Sequence, residues 1–321
     1  LLGWEEVLET GPDGTEWKGH AHLVCQNPPK LLALGKDLGL AQWHMPLDDP
    51  LPPGNFPAPR EMGCLGTSLT VTDHPGAMAL CCHLARESSP SAIEFCNTQI
   101  VTLRRSDPEY RRTSECFDRF IPDSSPLLWL LNAAGAGMKD RVYGPAFFRH
   151  ALTHSPPPLT HYLLGGSEDC GRALVERFTV LNPGLRIVGS FHGRCDSDGI
   201  LGADDGQVLE ELRRLKPDFI WVGLGTPKQQ RWIARVKPLL EHGVLLSVGQ
   251  AFDVNAGLRA DAPGWMQSCG LTWLYRMASE PRRLVGRYLH HNSLFLGYLL
   301  WDSVRGVVFR PESSRRPTRG G

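Results

Sequence analysis

From about residue 62 onward, short apolar segments ending in glycine or a polar residue alternate with amphipathic segments long enough to be helices. This alternation constrains the fold more than any other feature. A tight turn joins antiparallel strands, whereas parallel strands need a crossover of about a dozen residues, usually a helix. The expected strands lie in "MGCLGTSLTV", "AIEFCN", "RFIPD", "HYLLGG", "LRIVGSFHG", "PDFIWVGLG" and "VLLSVGQAFD". Between them, Pro75–Ala85, "DPEYRRTSECF", Leu127–Ala134, "EDCGRALVERFTVLN", "DGQVLEELRRL" and "PKQQRWIARVKPLL" read as helices. Asp107 is a suitable N-cap for the second of these, with Pro108 in its first turn. The expected class is α/β, with a mostly parallel sheet and helices on both faces.

Three regions are expected. Residues 46–59 hold six prolines and read as an extended linker, closing an N-terminal extension over residues 1–60. Residues 61–270 carry the alternating pattern. Residues 271–321 form a basic, amphipathic, helical C-terminal appendage. From Arg276 onward that segment has nine Arg and three acids, a balance of +6, interspersed with aromatic rings. Such a segment suits an anionic membrane surface, or a helix packed on the core with its arginines in water. The longest apolar run, Leu294 to Trp301, is too short to cross a bilayer, and no leader-like segment is visible. Over the whole chain, 34 Lys+Arg balance 34 Asp+Glu, which nominates no nucleic-acid partner. Nine cysteines without a C-x-x-C pair fit a reducing cytoplasm better than a zinc site or disulfide scaffold.

In an open parallel sheet, ligands bind beyond the carboxyl ends of the strands. Five strand ends carry glycine or a functional polar group: Asn97, Asp123, Gly165-Gly166, Gly223-Leu-Gly225 and Asp253. A glycine turn that feeds a helix aims backbone N–H groups at a phosphate. "LLGGSEDCGRAL" and "GLGTPKQQRW" both fit, the second placing Lys228, Gln229 and Gln230 at the helix start. A dinucleotide fingerprint needs a third glycine in an early βα turn, so Gly223-Leu-Gly225 argues against NAD.

Several motifs stand together in order: "NTQIVTLRRSDPEYRR", "IPD", "DRVYGPAFF", "LLGG", "PDFIWVGLGTPKQQRWI", "VGQAFDVNAG", "APGWMQSCGLTWLYR" and "EPRRLVGRYLHHNSLF". Over about residues 62–296 the chain resembles the WecG/TagA/CpsF glycosyltransferase family. That resemblance implies a Rossmann-like fold whose C-terminal appendage contacts the membrane and completes the site. It implies inverting transfer of a hexosyl or N-acetylhexosaminyl group, often N-acetylmannosaminyl, from a UDP-sugar donor. The implied acceptor is a polyprenyl-diphosphate-linked saccharide used for cell-surface polysaccharide, met at the inner face of the cell membrane. Asp123 takes the place of the family's candidate base. The implied donor and acceptor contacts are Asn97, Arg141, Gly144, Gly165, Gly166, Gly223, Gly225, Pro227, Lys228, Gln229, Phe252, Asp253, Arg276, Arg282, Arg283 and Arg287. No D-x-D motif stands at matching positions, so neither metal nor cofactor is expected; a homo-oligomer is compatible with the pattern.

The chain also departs from the family pattern. Phe95 replaces a common Thr, Ser124 a Gly, Ala146 an acid, Gln230 a Glu and Asp261 a basic residue. Phe95 and Ala146 motivate a second expectation, a nucleotide-sugar-binding regulatory module without catalysis.

Overall fold

The computed structural model describes residues 4–10, 16–23 and 58–309; the linker expected at 46–59 lies outside them up to residue 57. The chain divides into two compact units, Leu1–Pro50 and Leu51–Gly321. In the first, β1 (Trp4–Thr10) and β2 (Glu16–Leu23) form an antiparallel pair in which Trp4 faces Leu23 and Thr10 faces Glu16.

The second unit opens with a short hairpin, β3 (Glu61–Cys64) and β4 (Thr67–Thr70), and helix α1 (His74–Leu84). Then follow β5 (Ser91–Cys96), α2 (Thr98–Ser106), α3 (Pro108–Ser114), β6 (Arg119–Pro122), α4 (Ser125–Ala133) and α5 (Gly144–His154). The next run is β7 (Thr160–Gly165), α6 (Glu168–Leu181), β8 (Arg186–Phe191), α7 (Asp205–Leu215), β9 (Phe219–Gly223), α8 (Lys228–Val236) and β10 (Val244–Ser247). The unit closes with α9 (Ala251–Asn255), α10 (Gly264–Ser268), α11 (Thr272–Ser279) and the long α12 (Pro281–Arg305).

Strands β5 to β10 make one parallel sheet in the order β6-β5-β10-β9-β7-β8. This is the α/β, Rossmann-like class expected. Strand residues alternate between two cores. Ala92, Cys96, Ile220, Val222 and Leu245 face one; Ile93, Phe95, Phe219, Trp221, Val244 and Leu246 face the other. Period-two alternation of buried apolar residues along these strands means that both faces are covered. The chain leaves β5 toward one edge and leaves β7 toward the other, while β9 and β10 fill the gap. The connections therefore diverge over β5 and β10, where such sheets open a crevice.

Asp107 caps α3 as expected, accepting the Glu109 and Tyr110 amides at 2.9 and 3.0 Å. Four helices, α2, α5, α9 and α10, are not among those expected from the sequence, and the expected strand "VLLSVGQAFD" ends at Ser247, with Ala251–Asp253 in α9. Asn97 caps α2 by accepting the Ile100 amide at 3.2 Å, so this polar strand end also starts a helix.

The C-terminal helix packs along α2. Leu284 is fully buried and Phe295 joins the core beneath α2. Thr98 Oγ1 donates to Asn292 Oδ1 at 3.0 Å, Arg105 forks onto Asp302, and the Leu65 amide donates to Val308 O at 3.1 Å. Leu289, Leu296, Leu300 and Val304, at helical spacing on one side of α12, remain exposed. One side of the segment thus closes the core, as the packed-helix expectation has it, and another presents apolar side chains to solvent. No helix among the described residues is long and apolar enough to cross a membrane.

Candidate active site

A cavity of about 650 Å³ opens over the carboxyl ends of β6, β5, β10 and β9, roofed by α11 and α12. Residues following each of those four strands line it: Asn97, Asp123, Gly225 and Gly249 among them. The ends of β7 and β8 lie toward the other edge of the sheet and contribute nothing to its lining.

Asp123 directly follows β6. Its Oδ1 accepts the amide N–H of Gly144, the first residue of α5, at 3.0 Å. The carboxylate therefore sits at a helix N-terminus, where the macrodipole and free N–H groups favour negative charge. The helix that follows β6 directly, α4, is preceded by Ser124, which makes no side-chain cap bond. Burial is the largest influence on the Asp123 carboxyl and pushes its pKa up; the Arg141 charge, the Gly144 amide and the Arg276 charge pull it back. A carboxylate raised above its ordinary value is a better proton acceptor near neutrality.

Arg141 holds this strand end in place. One guanidinium nitrogen donates to the Asp123 carbonyl at 3.0 Å and another to Thr272 Oγ1 at 2.8 Å, with the group 4.6 Å from the Tyr143 ring centroid. Arg141 thereby ties β6 to α11. Tyr143 is fixed in turn by donating to Asp261 Oδ1 at 2.9 Å.

Positive charge enters from the roof. Arg276 on α11 and Arg283 and Arg287 on α12 all line the cavity. Burial, followed by the Tyr288, Arg276 and Arg283 charges, shapes the Arg287 environment, and the net effect lowers its pKa. Like charges gathered in one partly buried place favour an anionic ligand. Arg276 bonds Gln250 through one terminal nitrogen, while its Nε is buried without a hydrogen-bond partner. A buried donor without a partner costs about 1–3 kcal/mol, and an acceptor oxygen of a ligand in the cavity would remove that cost.

The glycine turn at 223–225 meets the cavity only at its far end. Gly225 has φ +80°, a left-handed conformation suited to glycine, and its amide donates to Gln229 Oε1 at 3.1 Å. Gly225 and Gln229 line the cavity; Gly223, Pro227 and Lys228 do not. Lys228 Nζ instead donates to the Cys195 carbonyl at 3.1 Å. Gly223 lies against Phe252, where an added Cβ would come within 2.7 Å of that ring. Phe252 is a core residue, and Asp253 lies 3.8 Å from Arg259. Gly165 and Gly166 also lie outside the cavity: a Cβ on Gly165 would fall 2.7 Å from Gly223 Cα, and one on Gly166 2.8 Å from Cys170 Sγ. Arg282 is exposed and outside the lining. The structure thus gathers Asn97, Asp123, Arg141, Gly144, Gly225, Gln229, Arg276, Arg283 and Arg287 around one space, and leaves Gly165, Gly166, Gly223, Pro227, Lys228, Phe252, Asp253 and Arg282 outside it.

Sequence reasoning missed Glu94. It lines the cavity floor at 1% exposure, opposite Ser247 in the β5–β10 register, and accepts from Gln230 Nε2 at 2.9 Å. Burial pushes its carboxyl up to about 8, against the bonds from Gln230 and Ser247 and the Arg104 charge. The available signal was a charged residue inside an otherwise apolar strand. Among the described residues, no group of three or more His, Cys, Asp or Glu is placed to hold a metal ion.

The sequence profile described as "Glycosyl transferase WecG/TagA/CpsF family" matches residues 62–307, well over half of the chain and all of the cavity lining. The chain belongs to this family. Its members' glycosyl-transfer chemistry agrees with a carboxylate and guanidinium groups sharing one cleft. Named relatives agree with one another. The chain is 25% identical over 202 residues to the N-acetylglucosaminyldiphosphoundecaprenol N-acetyl-beta-D-mannosaminyltransferase of Bacillus subtilis (strain 168), covering 63% of this chain and 76% of that protein. It is 25% identical over 188 residues to the protein of the same name from Bacillus spizizenii, covering 58% and 70%. The corresponding Staphylococcus aureus (strain MRSA252) protein is 29% identical over 123 residues, covering 38% and 46%.

Proposed function

We propose that this family member transfers an N-acetylhexosaminyl group, of the N-acetylmannosaminyl type, from a UDP-sugar to a polyprenyl-diphosphate-linked saccharide, with inversion. The observation that carries the reading is the cavity itself, in which Asp123 faces the same space as Arg276, Arg283 and Arg287. Gly144 holds Oδ1 of Asp123, which leaves Oδ2 to take the proton of the acceptor hydroxyl. As that proton leaves, the acceptor oxygen forms a bond to the anomeric carbon from one face, and the bond from that carbon to the UDP oxygen breaks on the other. The electron pair goes to UDP, whose added negative charge meets the three guanidinium groups. Gln229 and the Gly249–Gln250 turn border the donor side, while Asn97 and Thr98 border the region beneath α12.

The same reading places the protein peripherally on the inner face of the cell membrane, where a lipid-linked acceptor resides. The exposed stripe Leu289, Leu296, Leu300 and Val304, adjoining the arginines of α12, supports it. Residues 61–270 then form the transferase proper and the appendage that begins at 271, described as far as residue 309, the membrane-facing roof.

The test is transfer of sugar from UDP-N-acetylmannosamine to a short-chain polyprenyl-diphosphate-N-acetylglucosamine, followed by mass spectrometry. A product heavier by one N-acetylhexosamine is expected. Tight UDP binding without any transfer would instead favour a regulatory module, for which Phe95, 4% exposed and 5.1 Å from Phe147 in place of a hydroxyl residue, is the motivating observation.

A further inference from the structure

The roof of the Asp123 cavity changes character along α12. Arg283 and Arg287 bring charge to the lining near the start of the helix, whereas His291 and Asn292, a turn further on, bring none. Burial, followed by the His290 and Arg287 charges, pulls the His291 pKa down to about 4, so its ring is neutral near neutral pH. Both residues lie against the first turns of α2. Thr98 Oγ1 donates to Asn292 Oδ1, and Thr102 Oγ1 meets His291 Nδ1, each at 3.0 Å.

The Thr102 contact decides which nitrogen of His291 carries the proton. A threonine hydroxyl has a single hydrogen. Thr102 is fully buried, and its Oγ1 lies 2.9 Å from the Gln99 carbonyl one turn back in α2, an oxygen that can only accept. With the hydroxyl hydrogen on that bond, Oγ1 meets His291 as an acceptor and Nδ1 must be the donor. A neutral imidazole has one N–H, which leaves Nε2 with its lone pair. Among the described residues Nε2 makes no hydrogen bond, and it is not sealed in the core, so it is available to a ligand of the cavity that His291 lines.

Two amide donors accompany that acceptor. Asn97 Oδ1 is taken by the Ile100 amide and Asn292 Oδ1 by Thr98, which leaves both Nδ2 groups to donate. One acceptor and two donors without net charge suit a ligand rich in hydroxyl and acetamido groups better than they suit a phosphate. We propose that His291 Nε2 accepts a hydrogen bond from a hydroxyl of the acceptor sugar, and that His291 thereby helps to select that sugar. This assignment rests on the transfer reading above, in which Gln229 and the Gly249–Gln250 turn border the donor side and the region beneath α12 is left to the acceptor. His291 binds and orients the sugar; the proton of the attacking hydroxyl goes to Asp123.

Two substitutions in the full chain separate the two ring nitrogens. In His291→Asn the side-chain amide can still donate to Thr102 as Nδ1 does, and nothing reaches the place of Nε2. In His291→Gln the longer side chain brings an amide oxygen to that place. The KM for a short-chain polyprenyl-diphosphate-N-acetylglucosamine should rise about tenfold in His291→Asn, with kcat and UDP-N-acetylmannosamine affinity within about twofold of wild type. His291→Gln should recover most of the loss. Nitrogen NMR of the wild type without substrate should show the Nδ1–H tautomer of His291. An Nε2–H signal, or an acceptor KM unmoved in His291→Asn, would overturn the proposal. Equal losses in the two variants would make His291 a structural contact only. Weakened donor affinity with an unmoved acceptor KM would give the bond to the donor sugar instead. Each of these failures leaves wild-type transfer intact, whereas wild-type protein without any transfer would overturn the transfer reading and this assignment with it.

Discussion

Asp123 and Gly144 meet at 3.0 Å, a carboxylate oxygen at the end of β6 accepting the first amide of α5. Twenty-one residues separate them, and the contact fixes the carboxylate before substrate arrives. The same contact bears on its acidity, because an N–H bond to the charged form lowers a pKa while the surrounding burial raises it; burial is the larger. The acid limb of kcat/KM should therefore fall at a pH above the ordinary aspartate value of 3.8. Replacing Asp123 by Glu should move that limb; a limb unmoved by the exchange would assign it to another group.

Glu94 gives a pH dependence of stability with a definite sign. Its carboxyl is raised from 4.5 to about 8 by burial, so the fold holds its proton more tightly than the unfolded chain does. The stabilisation is complete below the unfolded value and is lost as pH rises through about 8. Between about pH 5 and pH 8 the melting temperature of Glu94→Gln should decline less than that of wild type. Parallel curves in a thermal-unfolding series would remove Glu94 from the titration.

The arginine roof should govern donor affinity. Arg276→Ala should weaken UDP binding by about tenfold or more, since a charge-assisted bond in a partly buried site contributes about 1.5–3 kcal/mol. The loss should shrink as salt rises. Calorimetric UDP titration at two ionic strengths checks both; unchanged affinity would move the diphosphate elsewhere in the cavity.

On the proposed reading, those guanidinium groups stabilise the diphosphate without a divalent cation. Turnover in excess EDTA should match turnover in added Mg²⁺. Loss on chelation, restored by one divalent ion, would show that a metal carries the diphosphate.

Removing the C-terminal helix is not a mild change, because Leu284 and Phe295 are built into the unit. Leu284→Ala should cost about 2–5 kcal/mol of stability. A denaturant midpoint close to wild type would mean that α12 docks independently of that contact.

Much of this architecture was legible in the residues. The period-two strands and the amphipathic segments between them specify a parallel sheet, and polar strand ends such as Asn97 and Asp123 do border the cavity. The glycines were harder to read. Gly165 and Gly166 look like a phosphate turn, yet β7 lies toward the edge away from the cavity, and Gly165 is small because the Gly223 backbone passes beside it. A sequence marks where a side chain is forbidden, not whether a ligand or another strand forbids it. Strand order decides which turns share a crevice, and that order arises from long-range pairing. Glu94 was hidden for a related reason: its meaning depends on Ser247 and Gln230, which the fold brings to it from 153 and 136 residues away.

The central claim is that Asp123 removes the acceptor proton, and Asp123→Asn tests it most directly. Asparagine keeps the size of the side chain and its carbonyl oxygen can still accept the Gly144 N–H, but it cannot take a proton near neutrality. Single-turnover transfer from UDP-N-acetylmannosamine should fall by about a hundredfold or more, with UDP affinity within about twofold of wild type. Transfer at the wild-type rate would contradict the account.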